Sequence, residues 1–278
     1  MNKKFILNFT PTGMIPTKAM TPKVPILPAE IVVQVGEAVK LGANMVHLHA
    51  RDLQDGKPTY RKEVYAEIVT GVRARHPELV ICLSTSGRDF PGFEERSQCL
   101  DLTGGLKPDM GSLTLSSLNF NSQASMNAPD MIKSLAKKMQ DNGIKPELEV
   151  FDLGMINYAH YLISKGLITP PYYFNLILGN IACAQANLLS LGLMIKELPP
   201  ESIWSVGGIG DYQLKMNAIG IVDGGGVRVG LEDNIYFDAD RAQLASNSDL
   251  VKRIVDIATA VGRTPWSHRE ARALLGMA

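Results

Sequence analysis

The 278-residue sequence predicts an α/β fold, a single-domain (β/α)8 TIM barrel over residues 1–278. Short β-rich runs recur eight times along the chain, and amphipathic stretches separate them. Strands that alternate with helices pair in parallel, and eight such units in about 250 residues suffice to close a barrel. Several runs also carry polar residues near their carboxyl ends, where a barrel assembles its active site.

Helices are predicted from the spacing of apolar residues in three stretches between the β-rich runs: 28–42, 62–76 and 128–143. The last of these begins with Pro-Asp and ends at glycine, which are usual helix start and stop signals. The eight strands are FILNFTP (5–11), MVHLHARD (45–52), VICLSTSG (80–87), MGSLTLSS (110–117), PELEVFDLG (146–154), YYFNLILG (172–179), IWSVGGIG (203–210) and VRVGLEDN (227–234).

A doubly wound open sheet is the alternative architecture. Its nucleotide-binding form carries a GxGxxG turn after the first strand, whereas TPTGMIPT (10–17) stands there in this sequence. The sequence therefore favours the closed barrel.

Charge and composition exclude several classes of partner. The 28 basic and 28 acidic residues balance, so we expect no basic face for nucleic acid. No segment approaches the ~18 apolar residues of a membrane span, and the N-terminal apolar run is too short for a signal peptide. Cys82, Cys99 and Cys183 are widely spaced, which argues against disulfides. The sequence predicts a cytoplasmic protein without nucleic-acid or membrane partners.

MVHLHARD (45–52) carries two of the five histidines. On a strand, His47 and His49 point to the same face, which suits a transition metal. Two hydrogen-bonded core histidines fit this octapeptide equally well. Glu232 supplies a third candidate ligand, because the second and eighth strands of a closed barrel both flank the first. Two histidines and one carboxylate leave a coordination position open, and zinc is the predicted ion, with iron, cobalt or manganese also compatible.

Three charged residues form the candidate acid–base group. Asp233 follows Glu232 directly, so the two side chains diverge and Asp233 can act as a base beside the metal. Glu149 lies between apolar residues on the fifth strand and needs a partner. We predict that this partner is Arg228; an ion pair with another lysine or arginine is the alternative.

Four motifs resemble those of the β-keto acid cleavage enzymes, and the resemblance extends over essentially the whole chain. They are HLHARD (47–52), LSTSG (83–87), ELEVFDLGM (147–155) and RVGLEDN (228–234). The resemblance implies a zinc-dependent, homotetrameric barrel that carries out a condensation and retro-Claisen exchange. In that exchange a β-keto acid and acetyl-CoA, the co-substrate, become acetoacetate and a new acyl-CoA.

The resemblance also implies a role for each matching residue. His47, His49 and Glu232 match the zinc ligands. Asp233 matches the base that takes the C2 proton, and Arg228 and Glu149 match the residues that orient it. Ser84 matches a serine that holds the substrate carboxylate, and Thr85 and Ser112 fall in the same region.

Met14 departs from the family pattern. Family members that act on an amino-substituted keto acid carry glutamate in this loop, which we take to contact the ammonium group. Methionine offers only an apolar, flexible surface, and a buried charge without a partner is costly. We therefore expect an uncharged substrate tail, or at most a quaternary ammonium, which apolar walls tolerate.

Two other readings of the histidine pair stay open at this point. A barrel hydrolase of the amidohydrolase type also uses HxH, but on the first strand and with further histidines on later strands. In this sequence HxH lies on the second strand, and His76, His160 and His268 fall in or near predicted helical stretches. A non-catalytic barrel with a structural metal would prefer four protein ligands.

Overall fold

Eight parallel strands form a closed barrel in the computed structural model, which describes residues 3–277. The predicted fold class is thereby confirmed. Residues 1, 2 and 278 of the predicted domain lie outside the described residues, and its extent over 1–278 stays a prediction. No helix within residues 3–277 is long and apolar enough to cross a membrane.

The barrel strands fall within or overlap the eight predicted runs. Most are shorter than predicted, because several runs included the loop that follows the strand. The strands are β1 (Leu7–Phe9), β2 (Met45–Leu48), β3 (Val80–Leu83), β4 (Met110–Thr114), β5 (Lys145–Val150), β6 (Tyr172–Leu178), β7 (Ser202–Gly208) and β8 (Gly226–Val229).

Nine α-helices lie within residues 3–277, and the three predicted helical stretches correspond to α1, α2 and α4. Most of the longer helices pack an apolar face against the outside of the barrel. The helices are α1 (Pro28–Lys40), α2 (Lys62–Arg75), α3 (Phe93–Ser97), α4 (Pro129–Asp141), α5 (Leu153–Ser164), α6 (Leu188–Lys196), α7 (Tyr212–Asp223), α8 (Asn247–Ala260) and α9 (His268–Leu274).

The barrel closes between its first and last strands. Val227 of β8 pairs with Leu7 of β1, and Asn8 of β1 pairs with Met45 of β2. The second and eighth strands therefore both flank the first, as the sequence predicted. One detail differs: β8 ends at Val229, so Glu232 lies in a turn and not on the strand whose side-chain alternation was used to place it.

The barrel interior has an apolar floor and a polar layer above it. Side chains from β2, β3, β4 and neighbouring segments form the floor together with Ala271 of α9 and Leu275, which directly follows α9. The polar layer holds Asn8, Glu147 and Asn175, all fully buried. Because a barrel interior is a packed core and not a pore, this layer is a fixed platform beneath the mouth.

Candidate active site

A cavity of about 860 Å³ opens at the mouth formed by the loops that follow the strands. Active sites of (β/α)8 barrels lie at this carboxyl-end face. The sequence-predicted site residues that line the cavity are Met14, His49, Ser84, Glu149, Arg228, Glu232 and Asp233.

The two histidines and Glu232 converge beside this cavity. The Nε2 atoms of His47 and His49 lie 3.1 Å apart, and His49 Nε2 lies 3.1 Å from Glu232 Oε1. His47 Nε2 lies 3.9 Å from the same oxygen. Each residue thus offers a ligand atom, all within 4.8 Å of one another. Two imidazoles and a carboxylate are the ligands that zinc and similar divalent ions use in catalytic sites.

Glu232 provides the observation that tests whether an ion fits. Its Oε1 accepts a hydrogen bond from Arg228 Nη2 at 2.6 Å, but its Oε2 is buried without any hydrogen-bond partner. A buried carboxylate oxygen without a partner is unfavourable, and a cation beside the two imidazoles would satisfy it. The donor set of His47, His49 and Glu232 therefore fits a divalent metal.

Glu147 orients His47 and is a site residue that the sequence-based assignment omitted. The fully buried carboxylate lies 2.5 Å from His47 Nδ1 through Oε2, so Nδ1 donates the proton. Nε2 of His47 is then free to face a metal, which is the usual carboxylate–histidine–metal arrangement. The signal was present in the sequence, because Glu147 shares its strand face with Glu149.

The charges around the histidines favour a cation. Burial by itself lowers the pKa of His47, but the negative charges of Glu147 and Glu232 outweigh it and raise that pKa to about 9. Burial lowers the pKa of His49 to about 4, even though Glu232 opposes this shift. The raised pKa of His47 reflects the negative charge of two nearby carboxylates, and the same negative charge would favour a divalent cation.

Arg228 joins three carboxylates at the mouth. Its Nε donates to Asp233 Oδ2 at 2.9 Å, its Nη2 contacts Glu232, and its Nη1 lies 3.4 Å from Glu149 Oε1. Burial by itself lowers the pKa of Arg228, but these carboxylates outweigh burial and hold it well above its ordinary value. The predicted contact between Arg228 and Glu149 is present, and Thr114 also donates to Glu149 at 2.7 Å.

Asp233 is the candidate base. Its side chain is 4% exposed, and burial raises the pKa of its carboxyl to about 6, although Arg228 opposes this shift. A carboxylate whose pKa is raised is a stronger base when ionised. Arg228 donates through both Nε and Nη2, which fixes the plane of the carboxylate at the cavity wall.

The three candidate carboxylate-binding residues do not share one environment. Ser84 lines the cavity. Thr85 and Ser112 are almost fully buried and bond each other: Thr85 N donates to Ser112 Oγ at 3.0 Å, and Thr85 Oγ1 donates to Ser112 O at 2.6 Å. These contacts tie the loop after β3 to β4, and a direct role of either residue in substrate binding stays a prediction.

The loop that carries Met14 is held by Arg51, which is 1% exposed. Its guanidinium donates to Gly13 O at 3.0 Å and to Pro16 O at 2.9 Å, so it fastens the loop on both sides of Met14. Gly13 has φ +65°, and a Cβ there would lie 2.5 Å from Glu232 Cγ. Glycine thus lets the loop pack directly against Glu232.

The remaining histidines lie away from the mouth. The rings of His76 and His268 are 6.4 Å apart at the ends of α2 and α9, and His160 on α5 contacts Glu197 O at 3.0 Å. Within residues 3–277, none of them joins the donor cluster. An amidohydrolase-type set with further histidine ligands is therefore not formed.

Comparison with known proteins identifies the family. Residues 4–277 match the profile of the beta-keto acid cleavage enzymes. The chain belongs to this family. The 3-keto-5-aminohexanoate cleavage enzyme of Fusobacterium nucleatum subsp. nucleatum is 37% identical over 279 residues, covering 100% of this chain and 99% of the relative. The 3-oxoadipate:acetyl-CoA acetyltransferase of Cupriavidus necator is 34% identical and covers 100% of this chain and 96% of its own length.

A solved structure of ObcA in its apo form has the same fold. It superimposes with a TM-score of 0.83 at 22% identity, covering 93% of this chain and 66% of the ObcA chain. The family match confirms the resemblance that the four motifs indicated.

For this member of the beta-keto acid cleavage family, we expect one divalent metal per chain at His47, His49 and Glu232. His47→Ala and Glu232→Ala should each lose most of the metal, because three-ligand sites have no spare donor. Metal content after dialysis, measured by elemental analysis, checks this. His160→Ala, on the surface of α5, is the matched control and should retain full content. Full metal content in a His47→Ala/His49→Ala variant would place the metal elsewhere.

A second expectation concerns Glu147→Gln. The glutamine amide can donate to His47 Nδ1, which moves the imidazole proton to Nε2 and blocks the ligand lone pair. We expect metal affinity to fall about 10–100-fold with the fold retained. Competition with a chelator measures the affinity, and Glu67→Gln on the exposed face of α2 is the control. Unchanged affinity in Glu147→Gln would show that Glu147 does not set the His47 tautomer.

Proposed function

We propose that the chain is a divalent-metal-dependent β-keto acid cleavage enzyme that uses acetyl-CoA as its co-substrate. One observation carries the proposal: the metal-type donor set of His47, His49 and Glu232 stands beside the Asp233–Arg228 pair in one cavity. The names of the two relatives support it, since one is a keto acid cleavage enzyme and the other an acetyl-CoA acetyltransferase.

The proposed reaction exchanges acyl groups between a keto acid and a thioester. A keto acid R–CO–CH2–COO⁻ loses a C2 proton, and C2 attacks the carbonyl carbon of acetyl-CoA. The CoA thiolate leaves, attacks the R–CO carbon, and the bond between that carbon and C2 breaks. The proton returns to C2, so the products are acetoacetate and R–CO–S–CoA, and every atom is accounted for.

The C2 proton is only weakly acidic between a ketone and a carboxylate, so its removal needs both a base and a positive charge. When bound by His47, His49 and Glu232, the metal supplies Lewis acidity that stabilises the charge left on the substrate. Asp233 takes the C2 proton and later returns it. Arg228 holds the Asp233 carboxylate in one orientation, and Glu149 holds the other end of the guanidinium.

A covalent cysteine intermediate is not part of the proposal. Cys82 lies in the barrel interior, donates to Glu147 Oε2 at 3.1 Å and is fully buried. Burial raises the pKa of its thiol well above the ordinary value, so the nucleophilic thiolate is disfavoured. The thiolate of CoA is the nucleophile that the proposed exchange requires.

Several finer assignments belong to the same proposal. We assign zinc as the metal, an uncharged tail to the substrate, a homotetramer as the assembly and the cytoplasm as the location. Zinc and the tetramer rest on the family resemblance, the tail rests on Met14, and the location rests on the composition of the sequence. Ser84, which lines the cavity, is assigned to the substrate carboxylate.

Asp233→Asn tests the proposed base. The change is nearly isosteric, so we expect the metal and the fold to be retained while turnover falls about 10²–10⁴-fold. Exchange of the C2 proton for deuterium, followed by NMR without acetyl-CoA, should disappear in the same variant. Asp130→Asn, on the exposed surface of α4, is the control. Undiminished exchange in Asp233→Asn would assign the base to another residue.

Met14 tests the substrate tail. We expect kcat/KM for 3-ketohexanoate to exceed that for 3-keto-5-aminohexanoate, because methionine leaves an ammonium group without a partner. Met14→Glu should narrow or reverse this preference. Met20→Glu is the matched control, since Met20 lines the same cavity and is 44% exposed, and it should leave the preference unchanged. A tenfold preference of the natural chain for the amino substrate would contradict the prediction.

A further inference from the structure

Arg88 is a cavity-lining cation that forms no close ion pair with the residues that the structure describes. It follows β3 and lines the cavity, yet within residues 3–277 its guanidinium has no ion pair within 4.0 Å and its Nε is buried without an acceptor. A half-buried guanidinium that lacks a carboxylate or phosphate partner is unfavourable. An anionic ligand in the cavity would supply a partner for the charge of the guanidinium.

The other two arginines that line the cavity are already paired. Arg228 is engaged with three carboxylates, as described above. Arg241 holds Asp211 through two hydrogen bonds of 3.0 Å each. Asp89, next to Arg88 in sequence, accepts a hydrogen bond from Gln123 instead. Among the described cavity-lining residues, Arg88 is thus the arginine left available for a ligand.

The guanidinium of Arg88 is held in place. Its Cζ lies 3.7 Å from the centroid of the Phe120 ring, which is a close cation–π contact. Phe120 belongs to the loop after β4, and buried Arg96 ties the two loops together by donating to Thr85 O and Met126 O, each at 2.8 Å. The binding group is therefore positioned before a ligand arrives, which lowers the entropic cost of binding.

We propose that Arg88, stacked on Phe120, binds the reacting carboxylate of the β-keto acid. The proposal rests on the proposed function. A guanidinium matches a carboxylate with two parallel N–H donors. Ser84 lies four residues earlier on the same loop, and it also lines the cavity. The two residues would contact the same carboxylate from the β3 side.

The position of Arg88 favours the keto acid over the phosphates of CoA. Burial lowers the pKa of Arg88, and the negative charges of Glu232, Asp89, Glu149 and Asp233 oppose that shift. Arg88 also lines the same cavity as Glu232, Glu149 and Asp233, beside which the reacting carbons lie in the proposed reaction. The phosphates of CoA are separated from the thioester by the whole pantetheine arm and would lie farther out.

Arg88→Gln tests the inference in the metal-loaded protein. We expect KM for 3-ketohexanoate to rise about 10–100-fold, the scale of a lost charge-assisted hydrogen bond, with kcat and the KM for acetyl-CoA changed less than about threefold. Arg88→Lys keeps the charge without the two-donor geometry and should show a smaller rise. Arg253→Gln is the matched control, because Arg253 also stacks on a phenylalanine, Phe237, but does not line the cavity.

A binding assay separates this inference from the proposed function. Acetoacetate and its neutral methyl ester are titrated by calorimetry into the natural protein and into the Arg88→Gln variant. The substitution should weaken the binding of acetoacetate about 10–100-fold and leave the affinity for the ester unchanged. If no keto acid is turned over, the proposed function fails, while this titration still decides the role of Arg88. Equal losses for acid and ester would overturn the inference. A loss of affinity in Arg88→Gln that is confined to acetyl-CoA, or to a dicarboxylic keto acid such as 3-oxoadipate, would also overturn the inference.

Discussion

The buried carboxylate of Glu147 is the interaction on which the mouth of the barrel depends. It accepts hydrogen bonds from Asn8 on β1, from Cys82 on β3 and from Asn175 on β6, and it contacts His47 on β2. Glu147 itself lies on β5, so one side chain connects five of the eight strands. An ionised carboxylate in a barrel interior is tolerated only when its lone pairs are satisfied, and this requirement fixes the strands and the His47 ring relative to each other.

Above that layer, Arg228 organises the charged residues that face the cavity. One guanidinium contacts Asp233, Glu232 and Glu149 and reduces the repulsion among these carboxylates at the mouth. It contacts Glu232 through Oε1, the oxygen that also faces His49, while the second oxygen of Glu232 is buried without a hydrogen-bond partner. The same residue thus links the candidate metal donors to the candidate base. Removal of the Arg228 charge would therefore affect both metal binding and proton transfer. The candidate metal donors and the candidate base thus form one electrostatic unit.

The cavity loops are held by buried arginines that bond to backbone carbonyls. Arg51 fastens the loop that carries Met14, and Arg96 fastens the loop that carries Ser84 and Arg88. Guanidinium groups suit this task because their donors can span several carbonyls at once. Residues that select the substrate can then lie on loops and still be rigidly placed, since each loop is tied to the barrel at defined atoms.

The sequence by itself determined the order of the elements and the members of the candidate metal site. Alternation of β-rich and amphipathic runs is a local property, and the spacing of His47 and His49 places both on one face whatever the tertiary context. Only the tertiary structure decided that Glu147 lies beneath the mouth and contacts His47 while Glu149 lies at the cavity, because height inside a barrel is set by the stagger between strands. Only the tertiary structure likewise decided that Arg88 has no close ion pair among the described residues, because the fold determines which carboxylates lie near its guanidinium.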